Sequence, residues 1–355
     1  MKHSILLMSA LAIGFSASAQ VSLYKDGKAI YVYEQMLDSI VFGLPRGYNE
    51  SHGGSGEDAQ GQTGEQDSEQ ETQQEEYKDP FIYDGALQPK EAPNGYTSAC
   101  WGAQGQVITE NYNGINGYNS LKVYLPVGYD KNKKYNILYL MHGGGEDQNK
   151  ILGSDDDCQL QNILDHMIQN GELEPMIVVT PTFNKCEAQT FYKEFRQSVI
   201  PFVEGKYSTY AASTSDEDIK ASRRHRAYGG FSMGGVSTWA VMQNCLDIVA
   251  YYMPLSGDHW IGNSADEKAR NLSNAVKQSG FSTHDYFIFC ATGSEDIAYP
   301  NVAPQIEAMK NYPEFIYTSD FSKGNLYFLV SPGKTHWWGY VRHYVYQALP
   351  YFFHE

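Results

Sequence analysis

From about Gly95 to the C-terminus, short and nearly continuous apolar runs recur along the chain, at 121–125 (LKVYL), 135–141 (YNILYLM), 176–180 (MIVVT), 225–229, 249–255, 286–291 and 326–330. Runs this short, rich in β-branched and aromatic residues, predict strands buried on both faces. Between them, 157–170, 192–207, 236–244, 265–279 and 302–310 carry apolar residues at helical intervals, and VRHYVYQAL continues that pattern near the end. Strands alternating with helices predict an α/β fold in which a mostly parallel central sheet is covered by helices on both faces.

The pattern changes upstream. Residues 20–43 hold two β-rich runs separated by Lys25-Asp26-Gly27-Lys28, which predicts a hairpin turning at Asp-Gly. Residues 44–94 read as an acidic flexible linker and a transition, because SHGGSGEDAQGQTGEQDSEQETQQEE offers almost no apolar surface to offset the entropy of ordering it. Residues 1–19, MKHSILLMSALAIGFSASA, combine a basic start, an apolar stretch and small residues before Gln20. That is the pattern of a signal peptide cleaved near Ala19, so a secreted or periplasmic protein is expected. The stretch is shorter than the roughly 20 apolar residues of a membrane span, and no later stretch is long and apolar enough for one.

Charge and cysteine content narrow the chemistry. A formal net charge of -16 disfavours a nucleic-acid partner, since phosphate binding needs clustered Lys and Arg. Residues 51–80 hold nine acidic residues and one lysine, so much of the excess is local. The five cysteines are too scattered for a disulfide scaffold, and no pair has zinc-site spacing, so no metal or other cofactor is expected. Cys290, within YFIFCA, reads as a small buried hydrophobe.

The segment YGGFSMGGVS, residues 228–237, places Ser232 between Gly230 and Gly234 in a G-x-S-x-G pattern, after a predicted strand and before a helical pattern. In that context the serine sits on a sharp strand-to-helix turn that lifts its hydroxyl above the sheet. Such a hydroxyl needs a histidine to take its proton and a carboxylate to orient the histidine. The expected chain order is Ser, acid, His. His336 fits best, in a glycine-containing loop straight after the run LYFLV. For the acid, Asp296 is favoured because its loop, TGSED after YFIFCA, lies between the other two; Glu295 and Asp258 compete. Oxyanion donors are expected at the Met233 N–H and in His142-Gly143-Gly144-Gly145 after the strand ending at Met141, with Gly144 and Gly143 as candidates. His142 is expected to shape that loop. Asp258, Trp260 and Trp337 are candidate substrate contacts, as they lie near these loops and indole faces stack on sugar and cinnamoyl rings alike.

VYLPVGYD, YLMHGGGED, VIPFVEGKYSTY, YGGFSMGG, GSEDIAYPN and GKTHWWGYVRHY follow one another over about residues 95–355. Together they resemble the esterase D-like α/β-hydrolases, and more narrowly the carbohydrate esterase family 1 feruloyl esterases. The resemblance implies hydrolysis of feruloyl esters on arabinoxylan or its oligosaccharides, with Ser232 as nucleophile, Asp296 as acid and His336 as base. An acetylxylan or broad acyl esterase of the same fold is the alternative, because the triad does not discriminate acyl size. A catalytically silent carbohydrate-binding protein is a third reading.

Overall fold

The computed structural model describes residues 21–25, 28–33, 87–153 and 157–353. The chain divides into two units, residues 1–73 and 74–355. In the first, β1 (Val21–Lys25) and β2 (Lys28–Tyr33) pair antiparallel, with Lys25 opposite Lys28; the Asp-Gly turn expected between them lies outside the described residues. The predicted signal peptide and the acidic part of the linker lie outside the described residues.

In the second unit the strands are β3 (Gln106–Gly114), β4 (Gly117–Leu125), β5 (Asn136–Met141), β6 (Met176–Thr180), β7 (Arg226–Phe231), β8 (Tyr251–Leu255), β9 (Phe287–Gly293) and β10 (Leu326–Ser331). They form one sheet in the order β10-β9-β8-β7-β5-β6-β4-β3. From β10 to β6 every neighbouring pair is parallel, while β4 pairs antiparallel with both β6 and β3. This is the predicted α/β-hydrolase arrangement, and every apolar run named above is one of these strands.

Alternation along the strands divides the core into two layers. Ile137, Tyr139 and Met141 of β5 face one layer and Leu138 and Leu140 the other. The first layer is closed by α2 (Met233–Cys245), α3 (Ala265–Ser279), α4 (Tyr299–Met309) and the helical stretch from 192 to 204; the second is closed by α1 (Leu160–Gln169) and α5 (Trp338–Ala348). The stretch expected to be one helix over 192–207 is broken into Tyr192–Glu194, a π-helical turn Phe195–Val199 and Ile200–Glu204. The wider turn falls just before Pro201, whose ring nitrogen has no proton to give to the ordinary ladder.

Three further features depart from expectation. β3 went unpredicted because it is an edge strand with mostly exposed or half-exposed residues, so its sequence, QVITENYNG, lacks a buried run. The short helix Asp216–Ala221 also went unpredicted; its signal was Ser215, whose side chain accepts from the Asp218 N–H. The predicted boundary at 95 is too late. Residues 87–94 are tied to the domain, with the Leu87 N–H donating to the Tyr327 hydroxyl (3.1 Å), Lys90 N–H to Gln347 Oε1 (2.8 Å) and Ala92 N–H to His343 Nδ1 (3.0 Å).

Candidate active site

Because β5 to β10 run parallel, the loops that follow β5, β7, β8, β9 and β10 all emerge at one edge of the sheet. In an open α/β sheet that carboxyl edge is where ligands bind. β7 is wholly buried and ends at Phe231; Ser232 then turns the chain into α2 at φ 58 and ψ -116. This is a strained backbone for a residue with a Cβ, of the kind that the surroundings must enforce, at about 1–3 kcal/mol. Here the Ser232 N–H is held by the carbonyl of Leu255 at the end of β8 (2.9 Å), and the Ser232 carbonyl starts the helix by accepting from Val236 (3.1 Å).

The two flanking glycines have a steric reason. A Cβ at Gly230 would lie 2.5 Å from the Gly234 backbone, and one at Gly234 would lie 2.3 Å from the Met141 carbonyl oxygen. The turn is so tight that β7, α2 and the end of β5 touch through bare backbone. Ser232 is left half-exposed, and its hydroxyl makes no hydrogen bond among the described residues.

Asp296 and His336 are brought together from the loops after β9 and β10. His336 Nδ1 lies 2.7 Å from Asp296 Oδ1, which also accepts from the Ala298 N–H at 2.8 Å. A carboxylate only accepts, so Nδ1 carries the proton and Nε2 is left with a lone pair. Asp296 is buried, whereas its competitor Glu295 points to solvent and gives only its backbone N–H to the Lys334 carbonyl (3.1 Å). Gly333 donates to Ser294 Oγ (2.8 Å), so the two loops are fastened to each other. The imidazole packs on Phe231, the residue before the serine, with ring centroids 4.4 Å apart. The loop after β10 therefore reaches back to the strand that carries Ser232.

The glycine loop after β5 stands on the other side of the elbow. A Cβ built at Gly144 would sit 3.1 Å from Met233 Cγ, so these two residues are neighbours. Met233 opens α2, where the N–H has no intrahelical partner. Gly144 is exposed and its N–H makes no hydrogen bond among the described residues. Gly143 is different from expectation: it is buried and its N–H donates to Glu146 Oε2 at 2.7 Å, so it is already committed inside the loop. His142 is fully buried, with Nδ1 2.7 Å from the Gly143 carbonyl and Nε2 2.8 Å from the Thr182 hydroxyl, and burial lowers its pKa. It shapes the loop.

Glu146 is the residue the sequence reading missed. Its carboxylate takes the Gly143 N–H on one side and the Trp338 indole N–H on the other, at 3.0 Å to each oxygen, and so joins the glycine loop to the segment that carries His336. Burial raises its pKa, against the pull of the Trp338 and Gly143 donors. A glutamate just past HGGG was visible in the sequence, but its indole partner lies 192 residues away.

Of the candidate substrate contacts, Trp260 and Trp337 are exposed, at 51% and 42%. Asp258 is buried and ion-paired with Lys268, which makes it a structural carboxylate. The neighbouring His259 is buried, with Nε2 donating to Gln243 Oε1 (2.7 Å). Burial, with a smaller contribution from the Lys268 ammonium, moves its pKa from 6.5 to about 4. Between those values the unfolded chain binds a proton that the folded one refuses, so stability falls on acidification by up to about 1.4 kcal/mol per pH unit from this site. Urea unfolding at pH 7 and pH 5 is expected to show the His259→Gln variant losing about 2 kcal/mol less than the wild type over that interval. Equal losses would mean that His259 does not titrate this way.

A mostly parallel sheet covered on both faces, with a serine on a strand–helix elbow at its carboxyl edge, is the architecture of an α/β-hydrolase. The putative esterase family model matches residues 113–324, and the chain belongs to that esterase family. Endo-1,4-beta-xylanase Y of Acetivibrio thermocellus is 65% identical over 277 residues, which cover 78% of this chain and 25% of that protein. The chain thus spans about a quarter of the length of this curated relative. A solved feruloyl esterase module from Clostridium thermocellum, complexed with sinapinate, is 65% identical, with a TM-score of 0.74 over 78% of this chain and 97% of that one. The ferulic acid esterase of Anaeromyces mucronatus shares the fold at 19% identity and a TM-score of 0.56, over 74% of this chain and 96% of that one. All five cysteines are unpaired, and Cys290 is buried as expected.

Proposed function

We propose that this chain is a secreted serine esterase that hydrolyses feruloyl esters on arabinoxylan side chains through an acyl-enzyme. The observation that carries the chemistry is the 2.7 Å contact between Asp296 and His336 beside the Ser232 elbow. Asp296 fixes the Nδ1–H tautomer, so Nε2 takes the proton as Ser232 Oγ attacks the ester carbonyl. The developing oxyanion is received by the Met233 and Gly144 N–H groups, each worth about 3–4 kcal/mol of transition-state stabilisation. The imidazolium then protonates the departing sugar hydroxyl, and water, deprotonated by the same Nε2, releases the acid. Of the expected oxyanion donors, Gly143 has no part in this step, because its proton is held by Glu146.

The acyl preference is supported by the 65% identical relative that is named a feruloyl esterase module and holds sinapinate, a hydroxycinnamate. Export is supported by the sequence of residues 1–19 alone. The test is a comparison of kcat/KM on feruloylated arabinoxylo-oligosaccharides and on acetylated xylan. At least a tenfold advantage (about 1.4 kcal/mol) for the feruloyl ester is expected; preference for acetyl would turn the reading toward an acetylxylan esterase.

A further inference from the structure

Beside the glycine loop lies an open cleft of about 680 Å³, lined by Lys122 of β4, by Gly145 and Asp147, and by Asn149, Lys150 and Asn184. It starts at Gly145, the residue after the Gly144 whose amide is assigned to the oxyanion, and it includes Glu146, whose carboxylate accepts from the Trp338 indole two residues past His336. Its size is within the range of small-ligand sites, roughly 300–1,000 Å³.

Its lining is polar throughout and holds no apolar side chain. The charges are matched and mostly occupied. Asp147 accepts from the Asn149 backbone (2.8 Å) and side-chain amide (3.1 Å), and Lys150 pairs with Asp157 at 2.8 Å. Glu146 is held by Gly143 and Trp338, and Lys122 reaches the Thr109 hydroxyl at 3.3 Å. Two lysines against Glu146 and Asp147 leave no net charge to attract an ion. A flat hydroxycinnamoyl ring would lose hydration of these groups and find no apolar surface in return. A polyhydroxylated neutral ligand matches them, since every hydroxyl both donates and accepts. An exposed indole is linked to the lining: the Trp337 N–H bonds Asp157 at 3.2 Å, and Asp157 in turn holds Lys150 of the cleft. Trp337 adjoins His336, the group that must protonate the leaving sugar, so these contacts link the cleft to the loop that carries the base.

We propose that this cleft is the carbohydrate subsite, which holds the neutral pentose oligosaccharide on the leaving-group side of the ester. The proposal rests on the esterase reading above for its location, but it concerns sugar binding and is separable from the chemistry.

Two measurements test it. The first compares methyl ferulate, which lacks the sugar, with a feruloylated arabinoxylo-oligosaccharide, using the wild type and the Lys122→Ala/Asn149→Ala double variant. Removing two hydrogen-bonding side chains is expected to lower kcat/KM on the oligosaccharide about tenfold, mainly through KM, with methyl ferulate changed less than about twofold. Equal losses on both esters, or none on either, would overturn the proposal. The second titrates Ser232→Ala protein with ferulate-free arabinoxylo-oligosaccharide by NMR, with and without the Lys122→Ala/Asn149→Ala changes. Saturable shifts that weaken in the triple variant support the cleft, and absence of binding rejects it. Failure of the wild type to hydrolyse methyl ferulate would instead count against the esterase reading, while the titration still decides on the cleft.

Discussion

Replacing Ser232 with alanine is expected to lower kcat on methyl ferulate by roughly 10⁴- to 10⁶-fold, the size of loss that follows removal of the nucleophile in serine hydrolases. The side chain is half-exposed and makes no hydrogen bond among the described residues, so its truncation removes chemistry without removing packing. The urea midpoint should not fall, and relief of a residue with a positive φ is not expected, because alanine keeps the Cβ that makes φ 58 costly. Hydroxycinnamate binding should survive. Asp296→Asn should cost about 10⁴-fold by the wrong histidine tautomer. If Ser232→Ala retained more than a few per cent of wild-type turnover, the nucleophile would have to be another group.

The second large effect concerns the strand that delivers the serine. Arg226, the first residue of β7, is fully buried against Glu204, with Nε–Oε1 at 2.6 Å and Nη2–Oε2 at 2.8 Å. The remaining guanidinium protons go to the carbonyls of Ile219 (3.0 Å) and Ile248 (2.5 Å) and to Ser222 Oγ (2.9 Å). Glu204 in turn accepts from the Tyr139 hydroxyl (3.0 Å) and the Thr209 hydroxyl (2.9 Å). Every polar atom is satisfied, which is the condition under which a buried pair is tolerated at all. Glu204→Gln would leave the arginine charge uncompensated in a dry interior, and a loss of about 3–5 kcal/mol in urea unfolding is expected. Replacing both partners with apolar residues, as in Glu204→Leu with Arg226→Met, should cost much less, because no charge is stranded. A double variant as unstable as the single one would show that the network, and not the stranded charge, is what matters. Kinetic constants of any folded Glu204→Gln protein should change little, since the pair lies at the opposite end of β7 from Ser232.

Much of this arrangement could be read along the chain because its causes are local. Apolar runs such as MIVVT and YNILYLM are buried on both faces and carry the strand signal in a few residues. The elbow is likewise a five-residue steric problem, so Gly230, Ser232 and Gly234 announce it unaided. β3 was illegible because an exposed edge strand has no buried side to pattern. The prediction of a single helix over 192–207 missed the π turn, since five residues are too few to show a period of their own and only Pro201 hinted at the interruption.

Order along the polypeptide was enough to nominate Ser232, Asp296 and His336, but not to choose between Asp296 and Glu295. Adjacent carboxylates on a loop differ only in which way they face, and that is set by how the loop after β9 is fastened to the loop after β10. The same holds for Gly143 and Gly144, identical in sequence terms, where the Glu146 carboxylate claims one amide and leaves the other. Glu146, the Arg226–Glu204 network and the polar cleft owe their existence to strand order: β5, β7, β8, β9 and β10 are side by side only after the crossovers have closed. Hydrophobic periodicity specifies which faces are hidden, whereas partners separated by tens to hundreds of residues are specified by packing, and no short window of sequence contains them.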